Sequence, residues 1–594
     1  MDDFYKIRCT LEICPNHWVI VAHCRLVVAL SLIYVYPLLT HSLTHSLTIN
    51  SITMLTKFLL LLTVSTTVTV AVASDVPTVT LTDGTTLQGS ESGHVATFKG
   101  LRYAMPPTGP LRWAPPVSYT PENPSETVVD ATEFGSICTQ PKFGGGTEDC
   151  LFLNVYVKSE ILENVTTSLL PVGIFIHGGS YHDGSSNLYD ATQLVDYLDG
   201  NAIIVTINYR LNVFGFLGSE ELRSQDPANG STGNYGFQDQ RMAMQWVQDN
   251  IKSFGGDPNR VMIYGESAGA GSVTNHLTMK KSMDNNLYSS AIIESGAFAL
   301  WNIQNFTLSQ GTYDRLLVEV GCSDLDCMLA KSTSEIFEPS QNVKSLDVNY
   351  LYPYNPTNDG VEIMTHPWIA LTNGDVKDVP IILGTNEDEG SIFTKLPKDA
   401  TQEQLIAHWT REDYSIAEQE TMLQMYVDEA TYPDVKGDSV YWWAGQRSLG
   451  DISMSCPSKY SSQQLSSLPG RVSSAYLYHF EHKKAGSDYV QHTAELSYVF
   501  HNFIQLQDSN DRSIADLMSS YWGNFLLSEE HNPNSNLVGL KAVPHWPAYD
   551  VVADNSLIVK DTVEDTEVLS GLKKEECVLA NHKIDVYVRS YFPE

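Results

Sequence analysis

One short stretch of this chain constrains its fold more than any other. Residues 260–271 read Arg-Val-Met-Ile-Tyr-Gly-Glu-Ser-Ala-Gly-Ala-Gly, so β-branched and aromatic residues give way abruptly to small ones. This pattern predicts a strand, a sharp turn at Ser267 and then a helix. Gly265 and Gly269 suit the turn because a side chain at either position would collide across so tight a bend. A serine in a Gly-x-Ser-x-Gly turn of this kind is a candidate nucleophile.

Strands and helices alternate on both sides of the turn. Residues 239–251 carry apolar side chains at helical spacing, as in a helix that packs one face on a sheet. The alternation predicts an α/β protein with a large, mostly parallel central sheet covered by helices on both faces. Together with the serine turn, this is the architecture of the α/β-hydrolase fold. The apolar runs that predict core strands lie at 172–176, 202–207, 260–264, 290–295, 379–384 and 475–480.

A serine hydroxyl is a weak nucleophile at neutral pH. It needs an imidazole that takes its proton, and the imidazole needs a carboxylate that orients it. In α/β hydrolases these groups follow one another along the chain as nucleophile, acid and histidine. The strand predicted at 379–384 ends in a cluster of carboxylates, which selects Asp388 or Glu389 as the acid. Chain order does not decide between these two.

The base is expected after the last predicted core strand, at 475–480. His492 lies in the segment that follows this strand, and we select it over His482 and His501. An imidazole at this point of the chain can reach the carboxyl ends of the central strands, where open α/β sheets bind their ligands. The predicted catalytic set is therefore Ser267, His492 and one of two neighbouring carboxylates.

A glycine pair follows the strand predicted at 172–176. Gly178 and Gly179 let the backbone turn its N–H groups toward open space, where they can hold the oxyanion that develops in acyl transfer. The N–H of Ala268, at the start of the predicted helix, is free for the same purpose. We therefore expect an oxyanion site beside Ser267.

Eight motifs in one order carry a resemblance to a known family. The chain resembles the type B carboxylesterase/cholinesterase family from about residue 79 to its C-terminus. This resemblance implies the α/β-hydrolase fold and hydrolysis of carboxylic esters of small molecules through an acyl-enzyme, with no metal or organic cofactor. The motifs are Glu148-Asp-Cys-Leu-Phe-Leu-Asn154, His177-Gly-Gly179, Asn208-Tyr-Arg210, Asp239-Gln-Arg-Met-Ala243, Gly255-Gly-Asp-Pro258, Gly265-Glu-Ser-Ala-Gly269, Asp388-Glu-Gly390 and His492-Thr-Ala-Glu495.

The resemblance also assigns roles that the residues alone leave open. In the family the acid is the glutamate of the Asp-Glu-Gly motif, which implies Glu389. The oxyanion donors carried over are the N–H groups of Gly179, Ser180 and Ala268. The family usually has a third glycine where this chain has Ser180.

The cysteines fit an oxidising compartment. Three of the nine, Cys9, Cys14 and Cys24, precede the predicted mature chain, and the other six form an even set. Six cysteines allow fifteen pairings. Close spacing favours two short loops and leaves the last two cysteines to each other, and the resemblance implies the same pairs. These are Cys138–Cys150, Cys322–Cys327 and Cys456–Cys577.

The N-terminal region reads as a targeting segment. Residues 54–73 combine a basic start, an apolar centre and a small-x-small end, which predicts a secretory signal peptide with an internal methionine as its start. We interpret 1–53 as an artefact of start-site assignment and 74–594 as a single domain with no membrane span. Sequons at Asn164, Asn229 and Asn305 fit a secreted, extracellular glycoprotein.

The balance of charge limits the partners. A formal net charge of −34 argues against nucleic acid and anionic membranes. Two alternatives to a general carboxylesterase remain. A cholinesterase is disfavoured because the predicted first disulfide loop contains only Phe143 as an aromatic, and because Ile392 stands where cholinesterases carry an aromatic of the choline pocket. A non-catalytic, neuroligin-like adhesion protein is disfavoured because the serine, acid and histidine are all present.

Overall fold

A computed structural model describes residues 76–163, 168–540 and 543–592 of the chain. The extension at 1–53, the predicted signal peptide at 54–73 and the sequon at Asn164 lie outside these residues. Within the described part, no helix is both long and apolar enough to cross a membrane.

Two sheets contain all the strands of the described chain. The strands are β1 (Thr78–Thr80), β2 (Thr86–Gln88), β3 (Ser90–Ser92), β4 (Val95–Arg102), β5 (Val128–Asp130), β6 (Phe152–Lys158), β7 (Leu170–Ile176), β8 (Ile203–Ile207), β9 (Gly256–Glu266), β10 (Ser290–Glu294), β11 (Ile381–Asn386), β12 (Ala475–Phe480), β13 (Asn555–Val559) and β14 (Glu567–Ser570). The central sheet has eleven strands in the order β14-β13-β12-β11-β10-β9-β7-β8-β6-β4-β3, and β1-β2-β5 form a small second sheet. Strands β7 to β13 run parallel, and antiparallel strands lie at both edges.

Helices separate most of these strands along the chain. The α-helices are α1 (Ser159–Glu163), α2 (Thr192–Tyr197), α3 (Asn212–Phe216), α4 (Tyr235–Asn250), α5 (Ala268–Thr278), α6 (Lys280–Asp284), α7 (Phe306–Val320), α8 (Leu325–Ala330), α9 (Thr333–Ser340), α10 (Pro367–Asn373), α11 (Gln402–Arg411), α12 (Ile416–Leu423), α13 (Val440–Gly450), α14 (Cys456–Ser467), α15 (Leu496–Val499), α16 (Ser509–Leu527) and α17 (Lys574–Tyr591). A short 3-10 helix, Glu389–Ile392, follows β11.

The central strands are largely apolar because they are buried on both faces. Successive side chains of a strand point to opposite faces, so one strand feeds two cores. In β7, Ile174 and Ile176 belong to the core under α4 and α5, whereas Phe175 belongs to the core under α16. The sheet is therefore covered on both faces, as the sequence predicted.

One prediction about the end of the chain is wrong. The strand at Ala475–Phe480 is not the last of the core, because β13 pairs parallel with it and β14 adds the edge. The sequence analysis also did not predict the C-terminal helix α17, because this segment has no continuous apolar run. Its buried residues recur at helical spacing on one face and contact the core or its neighbours: Cys577, Ala580, Ile584 and Val588.

Three disulfides join the described cysteines in the pairs predicted from their spacing. They are Cys138–Cys150, Cys322–Cys327 and Cys456–Cys577. The third spans 121 residues and ties α17 to the start of α14. The C-terminal helix is thus fixed covalently to the body of the domain.

Candidate active site

Ser267 lies at the turn between β9 and α5. Its backbone has φ 57° and ψ −124°, a conformation that L-residues rarely adopt. The turn is held by the N–H of Ser267, which donates to the carbonyl of Glu294 on the neighbouring strand at 2.9 Å. Because the serine precedes the first helical residue, its side chain stands at the carboxyl end of the sheet, where 8% of its surface is exposed.

Close backbone contacts explain the glycines of this turn. A Cβ atom on Gly269 would lie 1.9 Å from the carbonyl oxygen of Ile176, and one on Gly265 would lie 2.6 Å from the same atom. Both distances are far below a van der Waals contact. On the other side, a Cβ on Gly178 would lie 2.9 Å from Cβ of Ser267. Glycine at these positions therefore lets the loop after β7 approach the serine.

The loop after β7 carries the predicted oxyanion donors. Gly179 has φ 109° and Ser180 has φ 55°, so the serine adopts a left-handed conformation without the freedom of a third glycine. The carbonyl of Gly179 accepts hydrogen bonds from the N–H groups of His182 and Asp183, both at 2.9 Å, which fixes the loop. Among the described residues, the N–H groups of Gly179 and Ser180 have no acceptor. The N–H of Ala268, the first residue of α5, has none within its helix.

Glu389 is buried directly against the predicted base. Its Oε2 lies 2.5 Å from Nδ1 of His492, and its Oε1 accepts from the hydroxyl of Ser295 at 2.5 Å and from the N–H of Asn386 at 2.7 Å. Three donors thus fix one carboxylate. With Nδ1 donating to Glu389, the imidazole keeps Nε2 as its proton acceptor.

Asp388 points away from the imidazole. Its Oδ1 accepts from Gln446 and from the guanidinium of Arg447, each at 2.9 Å. Its Oδ2 accepts from the N–H of Val490, also at 2.9 Å. The aspartate therefore holds the segment that carries His492, and the glutamate contacts the ring.

The second ring nitrogen of His492 faces another carboxyl group. Nε2 lies 3.0 Å from Oε1 of Glu266, but the contact does not have hydrogen-bond geometry, and within the described chain Nε2 has no hydrogen-bond partner. Phe393 packs edge-on against the imidazole with ring centroids 5.0 Å apart. Nε2, the nitrogen that would take a proton, is thus buried and has no hydrogen-bond partner within the described chain.

Four carboxyl groups are buried around this histidine, each at most 1% exposed: Glu266, Glu294, Glu389 and Glu495. Burial raises the pKa of Glu266 well above its usual range, although a charge on His492 opposes this shift. Burial alone lowers the pKa of His492, but Glu266 and Glu389 more than reverse the effect, so the net direction is upward. The two shifts oppose each other, because a protonated Glu266 no longer carries the negative charge that raises the pKa of His492. His492 and Glu266 therefore titrate as a coupled pair.

A cavity of about 480 Å³ opens at the serine. Ser180 and Ser267 are both on its wall, so the nucleophile and one predicted oxyanion donor share one space. Aromatic side chains from several loops form much of the remaining wall: Tyr181, Trp301, Tyr350, Tyr352 and Phe393. A space of this size, mostly apolar with a few convergent polar groups, suits a small organic molecule.

This geometry agrees with the comparisons to known proteins. The model of the carboxylesterase family matches residues 75–580. The chain belongs to the carboxylesterase family. It is accordingly a carboxylic ester hydrolase with the α/β-hydrolase fold.

Two relatives and one solved structure illustrate the range of this esterase family. Acetylcholinesterase of Electrophorus electricus is 29% identical over 571 residues, which cover 84% of this chain and 86% of that protein. Pyrethroid hydrolase Ces2e of Rattus norvegicus is 30% identical over 505 residues, which cover 78% and 82%. The crystal structure of carboxylesterase EST55 from Geobacillus stearothermophilus has a TM-score of 0.71 at 27% identity and covers 85% of this chain and 99% of its own.

Sequence reasoning missed some residues that shape the esterase site. Ser295, which donates to Glu389, belongs to no motif used above, but it directly follows β10, next to the strand that carries Ser267. The indole of Trp522 donates to Glu294 at 2.8 Å, and the amide of Asn386 donates to Glu495 at 2.5 Å. Strand order could have identified Ser295. The partners of the buried glutamates depend on long-range packing.

One group of side chains near the site could in principle hold a metal ion. The ligand atoms of Glu387, His479 and Glu481 lie within 4.8 Å of one another. Nε2 of His479 is 2.5 Å from Glu387, and Arg447 pairs with the same carboxylate. Although burial opposes it, Arg447 is the main cause that lowers the pKa of Glu387 well below its usual range. These pairings account for Glu387 and His479 as partners in one network with Arg447.

Proposed function

We propose that this protein is a secreted serine esterase that cleaves carboxylic esters through an acyl-enzyme. The observation that carries the proposal is the contact of Glu389 with Nδ1 of His492, beside a strained serine that opens into the cavity. A carboxylate in this position orients the imidazole, so that Nε2 can take the proton of the serine hydroxyl.

The proposed reaction has two stages. The Ser267 oxygen attacks the carbonyl carbon of the ester while His492 takes its proton, and the N–H groups of Gly179, Ser180 and Ala268 stabilise the oxyanion. His492 then gives the proton to the leaving alcohol, which departs and leaves the acyl group on the serine. In the second stage a water attacks the acyl carbon while His492 takes its proton, and His492 then gives this proton to the Ser267 oxygen as the acid product leaves.

Replacement of the nucleophile tests the mechanism. Ser267→Ala should abolish ester hydrolysis and covalent labelling by an organophosphate, while circular dichroism shows an unchanged fold. Ser453→Ala is the matched control, because this serine also lies on the cavity wall. It should still be labelled at Ser267. Undiminished turnover in the Ser267→Ala protein would refute an acyl-enzyme at this residue.

A general carboxylesterase is favoured over a cholinesterase by the position of Phe143. This residue is the only aromatic between the first two bonded cysteines, and it is 54% exposed. It is not among the residues that line the cavity. A quaternary ammonium bound by cation–π contact needs an aromatic face inside the site. The loop closed by Cys138 and Cys150 does not provide it, although Trp301 and Tyr350 line the wall elsewhere.

Secretion is supported by the disulfides and the sequence of the N-terminus. Three disulfides suit an oxidising compartment. Asn229 is exposed, and Asn305 is partly buried at the start of α7, where its Oδ1 caps the helix and its amide nitrogen has no hydrogen-bond partner within the described residues. Secreted protein should begin near Ser74 by N-terminal sequencing and should lose mass on treatment with an N-glycosidase. Mature protein that retains residues 1–53 would contradict the predicted signal peptide.

A further inference from the structure

Three cationic side chains line the cavity that contains Ser267. They are Lys344, Lys395 and Arg411, and all three are exposed. They come from separate parts of the chain: the loop after α9, the segment after the 3-10 helix of Glu389, and the last residue of α11. In the described part of the chain, none of the three makes an ion pair or side-chain hydrogen bond.

Unpaired cations are unexpected in so acidic a protein. The chain has 36 Lys and Arg against 70 Asp and Glu, so carboxylates are in excess. Many other cations of the described chain pair with a carboxylate, as when Arg112 binds Glu148 at 2.6 Å and Arg210 binds Asp239 at 2.7 Å. Cations that converge on one cavity without such partners leave a positive potential there.

Two acidic residues, Asp347 and Glu412, lie on the same wall, so the cationic residues outnumber the acidic ones by three to two. Both oxygens of Asp347 are engaged, one by the hydroxyl of Tyr587 at 2.6 Å and the other by the amide of Asn349 at 2.8 Å. Burial raises the pKa of Glu412, although Arg411 and Lys395 oppose this shift.

His408 lies on the same wall, and two of the three cations affect its pKa. The pKa of His408 is lowered to about 4, mainly by burial and further by Arg411 and Lys395. The imidazole is therefore neutral at pH 7 and adds no charge of its own. The positive character of the cavity comes from the two lysines and the arginine.

We propose that the preferred esters of this enzyme carry a carboxylate away from the scissile bond, and that Lys344, Lys395 and Arg411 bind it. The proposal rests on the proposed function of Ser267. Guanidinium and ammonium groups bind carboxylates by charge-assisted hydrogen bonds. Because the three groups are exposed and act in high dielectric, we expect a preference of about tenfold, which corresponds to about 1.4 kcal/mol.

Matched pairs of esters measure this preference. Mono-4-nitrophenyl suberate carries the carboxylate on the acyl side, and its terminal amide is the neutral control of nearly equal size. 4-Butyryloxybenzoic acid carries the carboxylate on the alcohol side, with 4-butyryloxybenzamide as its control. In at least one pair the anionic ester should have a kcat/KM about tenfold higher at low salt, and the ratio should fall as about 0.3 M NaCl screens the charges.

Charge-removing variants locate the effect. Lys344→Gln/Lys395→Gln/Arg411→Gln should bring the ratio of anionic to neutral kcat/KM close to one. Lys252→Gln/Lys436→Gln/Lys574→Gln removes the same charge from three exposed lysines that are not on the cavity wall. This control should keep the wild-type ratio. Folding of each variant is checked by its denaturant midpoint, and the salt dependence of the wild-type enzyme supplies a readout that needs no variant.

Each outcome decides the matter. Equal rates for the anionic and neutral esters of both pairs would overturn the proposal and leave the esterase function intact. A preference that persists in the cavity variant, or falls equally in the control, would overturn the assignment to these side chains. Failure to hydrolyse any of the four esters would refute the proposed function and this inference with it.

Discussion

The two neighbouring carboxylates of the acid motif should respond very differently to removal of their charge. In Glu389→Gln, the amide oxygen can keep the hydrogen bonds from Ser295 and Asn386. The amide NH2 group then faces Nδ1 of His492, where a carboxylate oxygen stood at 2.5 Å. The imidazole must accept there, so its proton moves to Nε2, which can no longer take the proton of the serine.

The size of the loss follows from this change of tautomer. A wrong tautomer in a serine hydrolase lowers kcat by about 10⁴-fold, or about 5 kcal/mol. Asp388→Asn changes no contact of the ring. It removes one of the two carboxylates that bind Arg447, and Glu387 remains. For this variant we expect kcat to fall by less than about tenfold and the free energy of unfolding to fall by about 1–3 kcal/mol.

Turnover of 4-nitrophenyl butyrate at saturation gives kcat for both variants, and urea unfolding gives their stability. The expected pattern is an inactive but stable Glu389→Gln protein and an active but less stable Asp388→Asn protein. The reverse order of activities would refute the assignment of the acid and the tautomer argument with it.

Three further predictions concern redox state, pH and substrate. The disulfide between Cys456 and Cys577 closes a loop of 121 residues and stabilises the fold by roughly 5 kcal/mol in the chain-entropy model. Thiol titration of denatured mature protein should find no free sulfhydryl, and two or more would contradict the pairing. Glu266 and Glu389 raise the pKa of His492 against the effect of burial. Because only a neutral imidazole accepts a proton, kcat/KM should fall as the pH drops through this raised pKa, which lies above the usual value of about 6.5. Glu266→Gln should move this acidic limb to lower pH, and an unmoved or higher limb would show that Glu266 carries no charge there. Since Phe143 is outside the cavity, 4-nitrophenyl butyrate should have a higher kcat/KM than acetylthiocholine, and a preference for acetylthiocholine of about tenfold, or about 1.4 kcal/mol, would argue for a cholinesterase.

Local sequence patterns predicted the elements that carry the site, because strands buried on both faces and a glycine-framed turn leave strong local signals. The turn at Ser267 and the strand end before His492 are where these patterns placed them, whereas the strand before Glu389 ends at Asn386, two residues beyond the predicted 384. Strand β13 was missed because its five residues form a short apolar run without flanking turn glycines. Helix α17 was missed because its buried face is narrow, although the apolar residues of that face recur at helical spacing.

The directions in which the two acid-motif side chains point could not be predicted from the sequence. Asp388 and Glu389 are adjacent and chemically alike, and the side that each faces is set by partners far along the chain. Arg447 and Val490 draw Asp388 to one side, and Ser295 holds Glu389 on the other. The cationic cavity wall has the same origin, since its members lie far apart in the sequence and only the fold brings them together.

The unusual backbone around the serine has a thermal consequence. Five residues other than glycine adopt positive φ at the site: Ser180 at 55°, Tyr181 at 57°, Ser267 at 57°, Ser295 at 60° and Thr493, next to His492, at 74°. Each such conformation costs of the order of 1–3 kcal/mol, and it persists only while the surrounding structure enforces it. Relaxation of the site therefore recovers free energy that relaxation of an ordinary loop does not, so this region should open below the melting temperature of the sheet. On warming, esterase activity should disappear reversibly while the far-ultraviolet circular dichroism is still that of the folded protein.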